Sequence, residues 1–496
     1  MDTSKPFYIT TTLPYVNAEP HIGFAMEIIR ADAIARYNKL LGREVFFNTG
    51  TDEHGMKLWE AAKKSGKDVK DYVDDFAESF RGLTSLLGIS PDIHFIRTTD
   101  THHEAAAQKL WTMCDERGYI YKGKYSAKYC VGCELEKTDS ELNANGRCPI
   151  HPNRELEHID EENYFFALSK VEPLLKEYYE KNERLIIPDF RYNEVKAFLA
   201  RGLQDFSISR SREKMPWGVA VPGDDTQVMY VWFDALTNYI STLGWPDGDV
   251  GSTKDELVSE NLYEKFWVNG EKIQYCGKDN TRQQSLTWQA MLLAAGLPGT
   301  DHIVIDGFIN SGGQKMSKSL GNVISPYDAI GIFQPVAGDL ASDVLRYILL
   351  RHTNDFEDSD LTLETMVELY NANLANGLGN LASRILTMAE QNGVPHDGVG
   401  HIAFPNRDDL NSFSINSYMN AVWLQIQALD KSIQDKAPFK KIKINPEEAR
   451  ADIHEMLGDL AQIATLLAPI LPKTSEKLIT LVRASAKPES PLFQRI

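Results

Sequence analysis

Two short segments carry side chains that could act on phosphate groups. His21 and Gly23 stand where a turn-rich loop gives way to a helix-forming run, and the glycine-rich stretch 312–322 carries Lys315 and Lys318. The start of a helix offers unpaired N–H groups and a positive dipole end, which favour phosphate binding. A histidine there could donate to a developing phosphoryl oxygen, and loop lysines could neutralise charge at an attacked phosphorus. A capped or solvated histidine and a solvated basic loop are the plain alternatives.

A carboxylate follows a predicted strand in the second half of the chain. Asp279 closes the sequence Gly277-Lys278-Asp279, directly after the strand-like run 272–276. In other nucleotide-binding folds, acidic residues hold ribose hydroxyls from such positions. Asp279 is therefore a candidate ribose ligand, with an ordinary turn aspartate as the alternative.

Four further residues have the spacing of a metal site. Cys130 and Cys133 are separated by two residues, as are Cys148 and His151. Three thiolates and one imidazole make a tetrahedral zinc set with no position left for water, which indicates a structural site. The remaining cysteines, Cys114 and Cys276, are predicted to be buried thiols.

The elements that position these groups are predicted from periodicity. Residues 7–11 read as a buried strand, apolar residues at spacings of three and four predict a helix from Ile22 that ends near Gly42, and 45–48 returns as a strand. A second α/β stretch has strands at 272–276 and 303–305 around a helix at 282–295. Such units pair their strands in parallel and leave a ligand crevice at the carboxyl ends, where His21 and Gly23 would lie.

The chain divides into a split α/β unit and a helical part. The predicted fold class is α/β, with a Rossmann-type parallel-sheet domain split by a zinc-binding connective insert and followed by an α-helical bundle. Periodic helical runs cover 362–391, 414–436, 446–469 and 472–484. The predicted bounds are 1–115 and 231–322 for the two halves of the α/β domain, 116–230 for the insert, 323–365 for a linker region and 366–496 for the bundle.

Composition limits the possible functions. The chain has 496 residues, 43% of them hydrophobic, and no apolar run of the roughly 18 to 20 residues that span a bilayer. No signal or transit segment is recognised, so the expected location is the cytoplasm. A net charge of −18 argues against a general nucleic-acid coat protein. Lys436, Lys440, Lys441 and Lys443 nevertheless offer a local basic patch for RNA.

Together these segments resemble the methionyl-tRNA synthetase family of the class I aminoacyl-tRNA synthetases, over nearly the whole chain. The two phosphate segments match that family's HIGH and KMSKS signatures. The family is further distinguished by Thr11-Thr12-Leu13-Pro14-Tyr15-Val16-Asn17, Thr51-Asp52-Glu53-His54-Gly55 and Tyr230-Val231-Trp232-Phe233-Asp234-Ala235-Leu236. The insert is too short for the editing domain of the isoleucine, valine and leucine enzymes, which compensates for weak discrimination of single methylenes.

The resemblance implies an activity and its residues. The methionine carboxylate would attack the α-phosphate of ATP, taken with Mg, and the aminoacyl group would then pass to the terminal ribose of tRNA(Met). His21, Lys315 and Lys318 would be catalytic, and the residues implied for ATP binding are His21, Gly23, Glu27, Gly277, Asp279, Lys315 and Lys318. Asp52 would hold the methionine ammonium, and the rest of that pocket would comprise Leu13, Tyr15, Trp232, Ala235, Leu236, Tyr239 and Gln284. Asn380, Arg384 and Phe439 would contact the anticodon, and one structural zinc would occupy Cys130, Cys133, Cys148 and His151.

Three positions depart from the family pattern. Phe24 replaces the second histidine of the HIGH signature, Gln284 replaces a histidine that commonly lines the methionine pocket, and Phe439 replaces a tryptophan that often stacks on the anticodon. Phenylalanine can still stack on a base. The loss at position 24 shifts the expected stabilisation of phosphate charge toward Lys315 and Lys318.

Other functions remain open at this stage. A synthetase for another amino acid, such as cysteine or isoleucine, is disfavoured by Leu13, Trp232 and the short insert. A non-catalytic tRNA-binding paralogue is disfavoured by His21, Asp279 and the two lysines, whereas Phe24 leaves it open. Trp232 and Tyr239 could be ordinary core aromatics, and Asn380 and Arg384 ordinary helix-surface residues. A small-molecule adenylyltransferase would need no helical bundle. Because the chain ends at Ile496 without an appended dimerisation domain, we expect a monomer.

Overall fold

A six-stranded parallel sheet organises the first two thirds of the protein. The computed structural model describes residues 4–17, 19–133, 135–137, 139–248, 261–316, 321–398 and 407–496. In sheet order the strands are His94–Arg97 (β3), Val45–Thr51 (β2), Phe7–Thr10 (β1), Glu271–Gly277 (β12), His302–Asp306 (β13) and Ile186–Ile187 (β7). The order reverses between β1 and β12, and such a switch point opens a crevice at the carboxyl ends of the strands. The predicted split α/β fold is confirmed.

The helices divide between the sheet and the carboxyl-terminal part of the chain. Those up to residue 295 are Ile22–Leu40 (α1), Met56–Ser65 (α2), Val69–Leu86 (α3), Thr101–Glu116 (α4), Leu168–Lys181 (α5), Asp189–Ala200 (α6), Val231–Ala235 (α7), Asn238–Ser241 (α8) and Gln289–Ala295 (α9). Those that follow are Pro326–Ala337 (α10), Ala341–Arg351 (α11), Leu363–Tyr370 (α12), Asn380–Asn392 (α13), Arg407–Asn411 (α14), Ile415–Lys436 (α15), Pro438–Lys441 (α16), Pro446–Leu467 (α17) and Pro472–Ala484 (α18).

The stretch 116–230 is mostly a small antiparallel unit, yet it also completes the main sheet. Its four-stranded sheet consists of Leu135–Lys137 (β5), Ile120–Cys130 (β4), Glu157–Phe166 (β6) and Phe206–Ser207 (β8). A three-stranded sheet consists of Ala220–Val221 (β10), Asp224–Met229 (β11) and Ser209–Ser211 (β9). β7 belongs to this stretch but pairs in parallel with β13. The insert therefore extends the main sheet at one edge as well as forming two smaller sheets of its own.

One apolar core joins the sheet to the helical bundle. It runs from Ile9 and Ile29 through Val344 to Leu386 and Leu460, all of them fully buried. The predicted helices at 414–436, 446–469 and 472–484 are confirmed as α15, α17 and α18. Between α12 and α13 the helix continues through wider π-type turns over Asn371–Gly379. Among the described residues, no helix combines the length and apolarity that crossing a membrane requires.

Residues 353–360, here called the strap, tie α1, the bundle and the lysine segment together. The Arg30 guanidinium of α1 donates to the carbonyl oxygens of Asn354 and Asp355 at 2.7 and 2.9 Å. The Asp355 carboxylate accepts the backbone N–H of Asn416, in the first turn of α15. The first half of the strap therefore holds both α1 and the start of a bundle helix.

The second half of the strap supports the hairpin that carries Lys315. This hairpin consists of Ile309–Ser311 (β14) and Gln314–Lys315 (β15), and the strap strand Ser359–Asp360 (β16) pairs in parallel with β14. Asp358 accepts two contacts of 2.7 Å from the Lys278 ammonium. A Cβ at Gly307 would lie 2.2 Å from the Glu357 backbone, so only glycine allows the strap to lie this close to the sheet.

Candidate active site and metal centre

A cleft of about 510 Å³ opens at the carboxyl ends of the central strands. The loop after β1, the residue after β2, the turn after β12 and the end of β13 all contribute to its wall, as a parallel sheet with a switch point requires. Of the residues predicted for ATP or methionine, those that line it are Leu13, Tyr15, His21, Gly23, Glu27, Asp52, Trp232, Gly277, Asp279 and Lys315. Residues almost three hundred positions apart in sequence therefore surround one space.

His21 begins α1 and faces the cleft as a neutral hydrogen-bond donor. Its Nδ1 accepts the Gly23 backbone N–H at 3.1 Å, so in the neutral ring the proton lies on Nε2. Desolvation lowers the pKa of His21, Asp279 opposes this effect, and Lys315 adds to it. A Cβ at position 23 would lie 2.9 Å from the His21 ring, so a side chain there would displace the histidine. His21 can donate to a phosphoryl oxygen without carrying a charge.

Lys315 also lines the cleft, at the end of the β14–β15 hairpin. Its ammonium stands 4.5 Å from the centroid of the Phe308 ring, which holds the charge at the cleft wall. Lys318, predicted as its partner, lies outside the described residues. Phe24 also lines the cleft, and its ring packs edge-on against Phe80 at 5.3 Å. An apolar contact thus replaces any polar role at position 24.

Glu27, one turn and a half into α1, is a buried carboxyl at the base of the cleft. Its Oε1 accepts the backbone N–H of Thr12 at 2.7 Å and the Thr12 hydroxyl at 2.6 Å. Burial raises the pKa of Glu27 to about 8, against the lowering effect of these two hydrogen bonds. At neutral pH the carboxyl is therefore mostly protonated, and its second oxygen can donate a hydrogen bond.

We expect this carboxyl to give the protein a specific pH dependence of stability. Between about pH 4.5 and 8 the folded protein keeps a proton on Glu27 that the unfolded chain has released, so raising the pH favours unfolding. Glu27→Gln removes the titration, and the stability of the wild type relative to this variant should fall across that window and level off above it. Urea unfolding from pH 5 to 9 measures the difference. Glu155→Gln, at an exposed surface position, should run parallel to the wild type; a parallel Glu27→Gln curve would contradict the prediction.

Asp52 and Trp232 are held in fixed relation by a buried charge cluster. Asp52 pairs with Tyr15 across a short parallel bridge, and its carboxyl is almost fully buried at the cleft. His54 Nδ1, two residues beyond Asp52, lies 2.7 Å from Asp234, two residues beyond Trp232. His103 contacts the other oxygen of Asp234 at 2.9 Å. Burial alone would raise the pKa of Asp234, but the two histidines hold it at about 2.

The other residues predicted for the methionine pocket lie behind the cleft wall. Ala235, Leu236, Tyr239 and Gln284 are all at least nine-tenths buried and do not line the cleft. The Gln284 amide donates to the Tyr239 hydroxyl oxygen, and the Tyr239 ring packs against Trp288 at 5.6 Å. The sequence identifies these residues as candidates for the pocket, but it does not predict whether their side chains reach the cleft.

The four predicted metal ligands converge. One ligand atom from each of Cys130, Cys133, Cys148 and His151 lies within 4.8 Å of the others. The Sγ atoms of Cys133 and Cys148 are 3.5 Å apart, and Cys133 Sγ lies 3.2 Å from His151 Nδ1. Ligands about 2.3 Å from a tetrahedral zinc are separated by roughly 3.7 Å, so the residues present fit this ion. Cys133 and Gly132 also line the cleft, so the loop that carries two of the predicted metal ligands forms part of its wall.

Replacing one ligand should remove the metal. Cys148→Ser substitutes a poor zinc ligand for a thiolate, and we expect the zinc content to fall from about one per chain to near zero, with faster proteolysis within 116–230. Atomic absorption on purified protein measures the first effect. Cys114→Ala, a buried thiol outside the cluster, is the matched control and should retain zinc. A wild-type protein that neither contains nor binds zinc would overturn the assignment.

The residues predicted for the anticodon lie on the surface of the helical part. Asn380 is exposed at the start of α13, and Arg384 of the same helix contacts Asp430 at 2.6 Å. Phe439 is 48% exposed, with the Lys440 ammonium near its ring. Two lysines of the predicted basic patch are engaged in ion pairs, Lys436 with Glu455 and Lys441 with Glu448 and Asp452. The patch is therefore less basic than the sequence predicts.

The cleft also contains residues that the sequence analysis missed. Asp306 ends β13 beside the cleft, where Arg30 contacts it at 3.0 Å, and burial raises its pKa to about 6. Lys57 also lines the cleft, with its ammonium 5.3 Å from the Tyr15 ring centroid. Asp306 could have been found as the residue directly after the predicted strand at 303–305. Lys57 gave no such signal.

These features define the class of protein. A switch-point cleft lined by a histidine at the start of a helix, a carboxylate after a central strand and a lysine hairpin is the arrangement that the resemblance to class I synthetases predicts. The family model of the "tRNA synthetases class I (M)" matches residues 7–159 and 144–386. The chain belongs to this family.

Individual relatives agree along the whole chain. A methionine–tRNA ligase of Nostoc sp. is 38% identical over 96% of this chain and 89% of its own length. One from Fusobacterium nucleatum is 36% identical over 96% of this chain and 74% of its own. The solved structure of Mycobacterium tuberculosis methionyl-tRNA synthetase in complex with methionyl-adenylate is 32% identical, covers 99% of both chains and has a TM-score of 0.86.

Proposed function

We propose that this protein is a methionine–tRNA ligase. It joins L-methionine to ATP to give methionyl-adenylate and pyrophosphate, and then transfers methionine to the 3′-terminal ribose of tRNA(Met). The observation that carries the proposal is the single cleft where His21, Asp279 and Lys315 face Asp52 and Trp232. This arrangement supplies phosphate donors, a ribose acceptor and an anion for an ammonium group in one space.

Each side chain has a role that follows from its chemistry. The methionine carboxylate attacks the α-phosphorus as the bond to pyrophosphate breaks. The His21 Nε2–H donates to an oxygen of that phosphoryl group, while Lys315 and Lys318 balance the charge on the departing pyrophosphate. Asp279 and Gly277 position the ribose. Glu27, protonated at neutral pH, lies at the base of the cleft as a neutral donor. Asp52 binds the substrate ammonium through a charge-assisted hydrogen bond.

Further components complete the proposed enzyme. Mg accompanies ATP and offsets the charge of its phosphates. The Cys130, Cys133, Cys148 and His151 cluster holds a structural zinc. Asn380, Arg384 and Phe439 read the anticodon, with Phe439 free to stack on a base. The enzyme acts as a monomer in the cytoplasm.

Amino-acid-dependent exchange of labelled pyrophosphate into ATP tests the proposal. The assay is run with each of the twenty amino acids in turn, without tRNA. Exchange should require methionine. Exchange with a different amino acid would overturn the specificity, and no exchange with any of them would favour a non-catalytic tRNA-binding protein.

A further inference from the structure

The Phe308 ring contacts two separate parts of the cleft wall. It lines the cleft just after β13, and two ammonium groups lie over it, that of Lys278 at 4.4 Å from the ring centroid and that of Lys315 at 4.5 Å. A Cβ at Gly277 would lie 3.9 Å from the edge of the same ring. The ring therefore joins the turn at 277–279, which carries the proposed ribose ligand, to the lysine hairpin.

The strap holds Phe308 in place through its main chain. The Phe308 N–H donates to Asp358 Oδ1 at 3.0 Å, and the Ser359 N–H donates to the Phe308 carbonyl oxygen at 2.9 Å. The same Asp358 carboxylate accepts both 2.7 Å contacts from Lys278. Of the two cations over the ring, Lys278 is thus already fixed and balanced by a carboxylate.

Lys315 is restrained in a different way. Its side chain is exposed, and within the described ranges its ammonium makes no ion pair, so the Phe308 ring is the contact that limits its positions. A lysine ammonium on its four-carbon stem otherwise samples many rotamers. A carboxylate partner would restrain it too, but would cancel the charge that a phosphate needs. An aromatic face attracts the cation and leaves its charge intact.

We infer that Phe308 is a positioning residue, which holds the Lys315 ammonium where it faces the departing pyrophosphate, and that the strap carboxylate Asp358 keeps the ring in place. This inference rests on the proposed function. A charge that is already in position when the transition state forms stabilises it without a reorganisation cost. Phe308 itself needs no contact with the reacting atoms.

Phe308→Leu tests the ring, because leucine keeps an apolar side chain but has no aromatic face. We expect kcat for methionine-dependent pyrophosphate exchange to fall about three- to fivefold, the scale of a cation–π contact at an exposed site. The KM for methionine should stay within about twofold, since Asp52 and Trp232 are unchanged. Phe308→Tyr keeps the aromatic face and should lose less than about twofold in kcat.

The same change in a Lys315→Met background separates positioning from a general structural role. If Phe308 acts through the lysine charge, Phe308→Leu should cause no further loss in that background, because coupled residues are not additive. A further loss as large as in the wild type would show that the ring acts on another part of the cleft, and would overturn the inference.

Two other results would also overturn it, namely unchanged exchange in Phe308→Leu, or a loss in Phe308→Tyr as large as in the leucine variant. If Phe308→Leu does not fold, Phe308→Met replaces it in the same pair of backgrounds. Failure of the proposed function has a different signature, since wild-type protein would then show no exchange with methionine.

Discussion

Lys315→Met should lower kcat/KM for methionine-dependent pyrophosphate exchange by about a hundredfold or more, the effect typical of removing a preorganised group from a charged transition state. Methionine keeps the length of the side chain and its contact with Phe308, so the change removes mainly the positive charge at the cleft wall. The loss should be large here because Phe24, which replaces the second histidine of the HIGH signature, makes an apolar contact and offers no second donor.

The matched control is Lys39→Met, which removes a lysine from the surface of α1. Lys39 pairs with the exposed Asp92 and does not line the cleft. Its exchange activity should stay within about twofold of the wild type. A Lys315→Met enzyme that retained a third of its activity would place the phosphate-stabilising charge elsewhere in the chain.

Arg346→Met should reduce the free energy of unfolding by about 3 kcal/mol, the lower end of the cost of removing one partner from a buried ion pair, because Asp32 keeps its contact with Arg36. Arg346 and Asp32 are fully buried and 2.8 Å apart, and Arg346 also donates to the Ile470 carbonyl oxygen at 2.7 Å. Burial would raise the pKa of Asp32, but Arg346 and Arg36 hold it below its usual range. The ion pair joins α1 to α11, and the contact with Ile470 joins α11 to the turn before α18. Urea unfolding followed by circular dichroism measures the change.

The double variant Asp32→Asn/Arg346→Met separates charge from packing. It removes both charges, so part of the stability lost in the single variant should return. If the single variant costs less than about 1 kcal/mol, the ion pair is not a major contact between α1 and the helical part. If the double variant is no more stable than the single one, lost packing rather than the weakened pairing of the Asp32 carboxylate accounts for the effect.

The sequence predicted those parts of the fold that depend on local periodicity. Strand β1, helix α1 and strand β2 follow from apolar spacing, and α15, α17 and α18 are long enough for their period to be unambiguous. The metal cluster was predictable because its ligands lie within 22 residues of one another. By contrast, β7 has only two residues, too few to show an alternation, and the four-residue β3 was not predicted. Their place in the main sheet is decided by tertiary packing.

The sequence predicted the residue types of the candidate site, but not which of their side chains line the cleft. Signature positions identified Asp52, His21 and Lys315, and these line the cleft. The same reasoning grouped Tyr239 and Gln284 with them, although both lie behind its wall. Nothing in the spacing of the four predicted metal ligands indicates that one of them, Cys133, also lines the cleft. Such relations arise when distant segments pack, and a single sequence carries no local signal of them.

The strap also limits where the chain can be cut. Domain boundaries are usually drawn where few contacts cross, and a boundary drawn after α11 would separate Ser359 and Asp360 from their parallel partner β14. It would also detach Asp358 from Lys278, beside the proposed ribose ligand. An excised α/β domain that is to keep the Lys315 hairpin in place must therefore extend to Leu361, whose N–H still bonds Asn310. The end of any fragment that keeps the Lys315 hairpin paired is thus set by a partner strand rather than by the end of the main sheet.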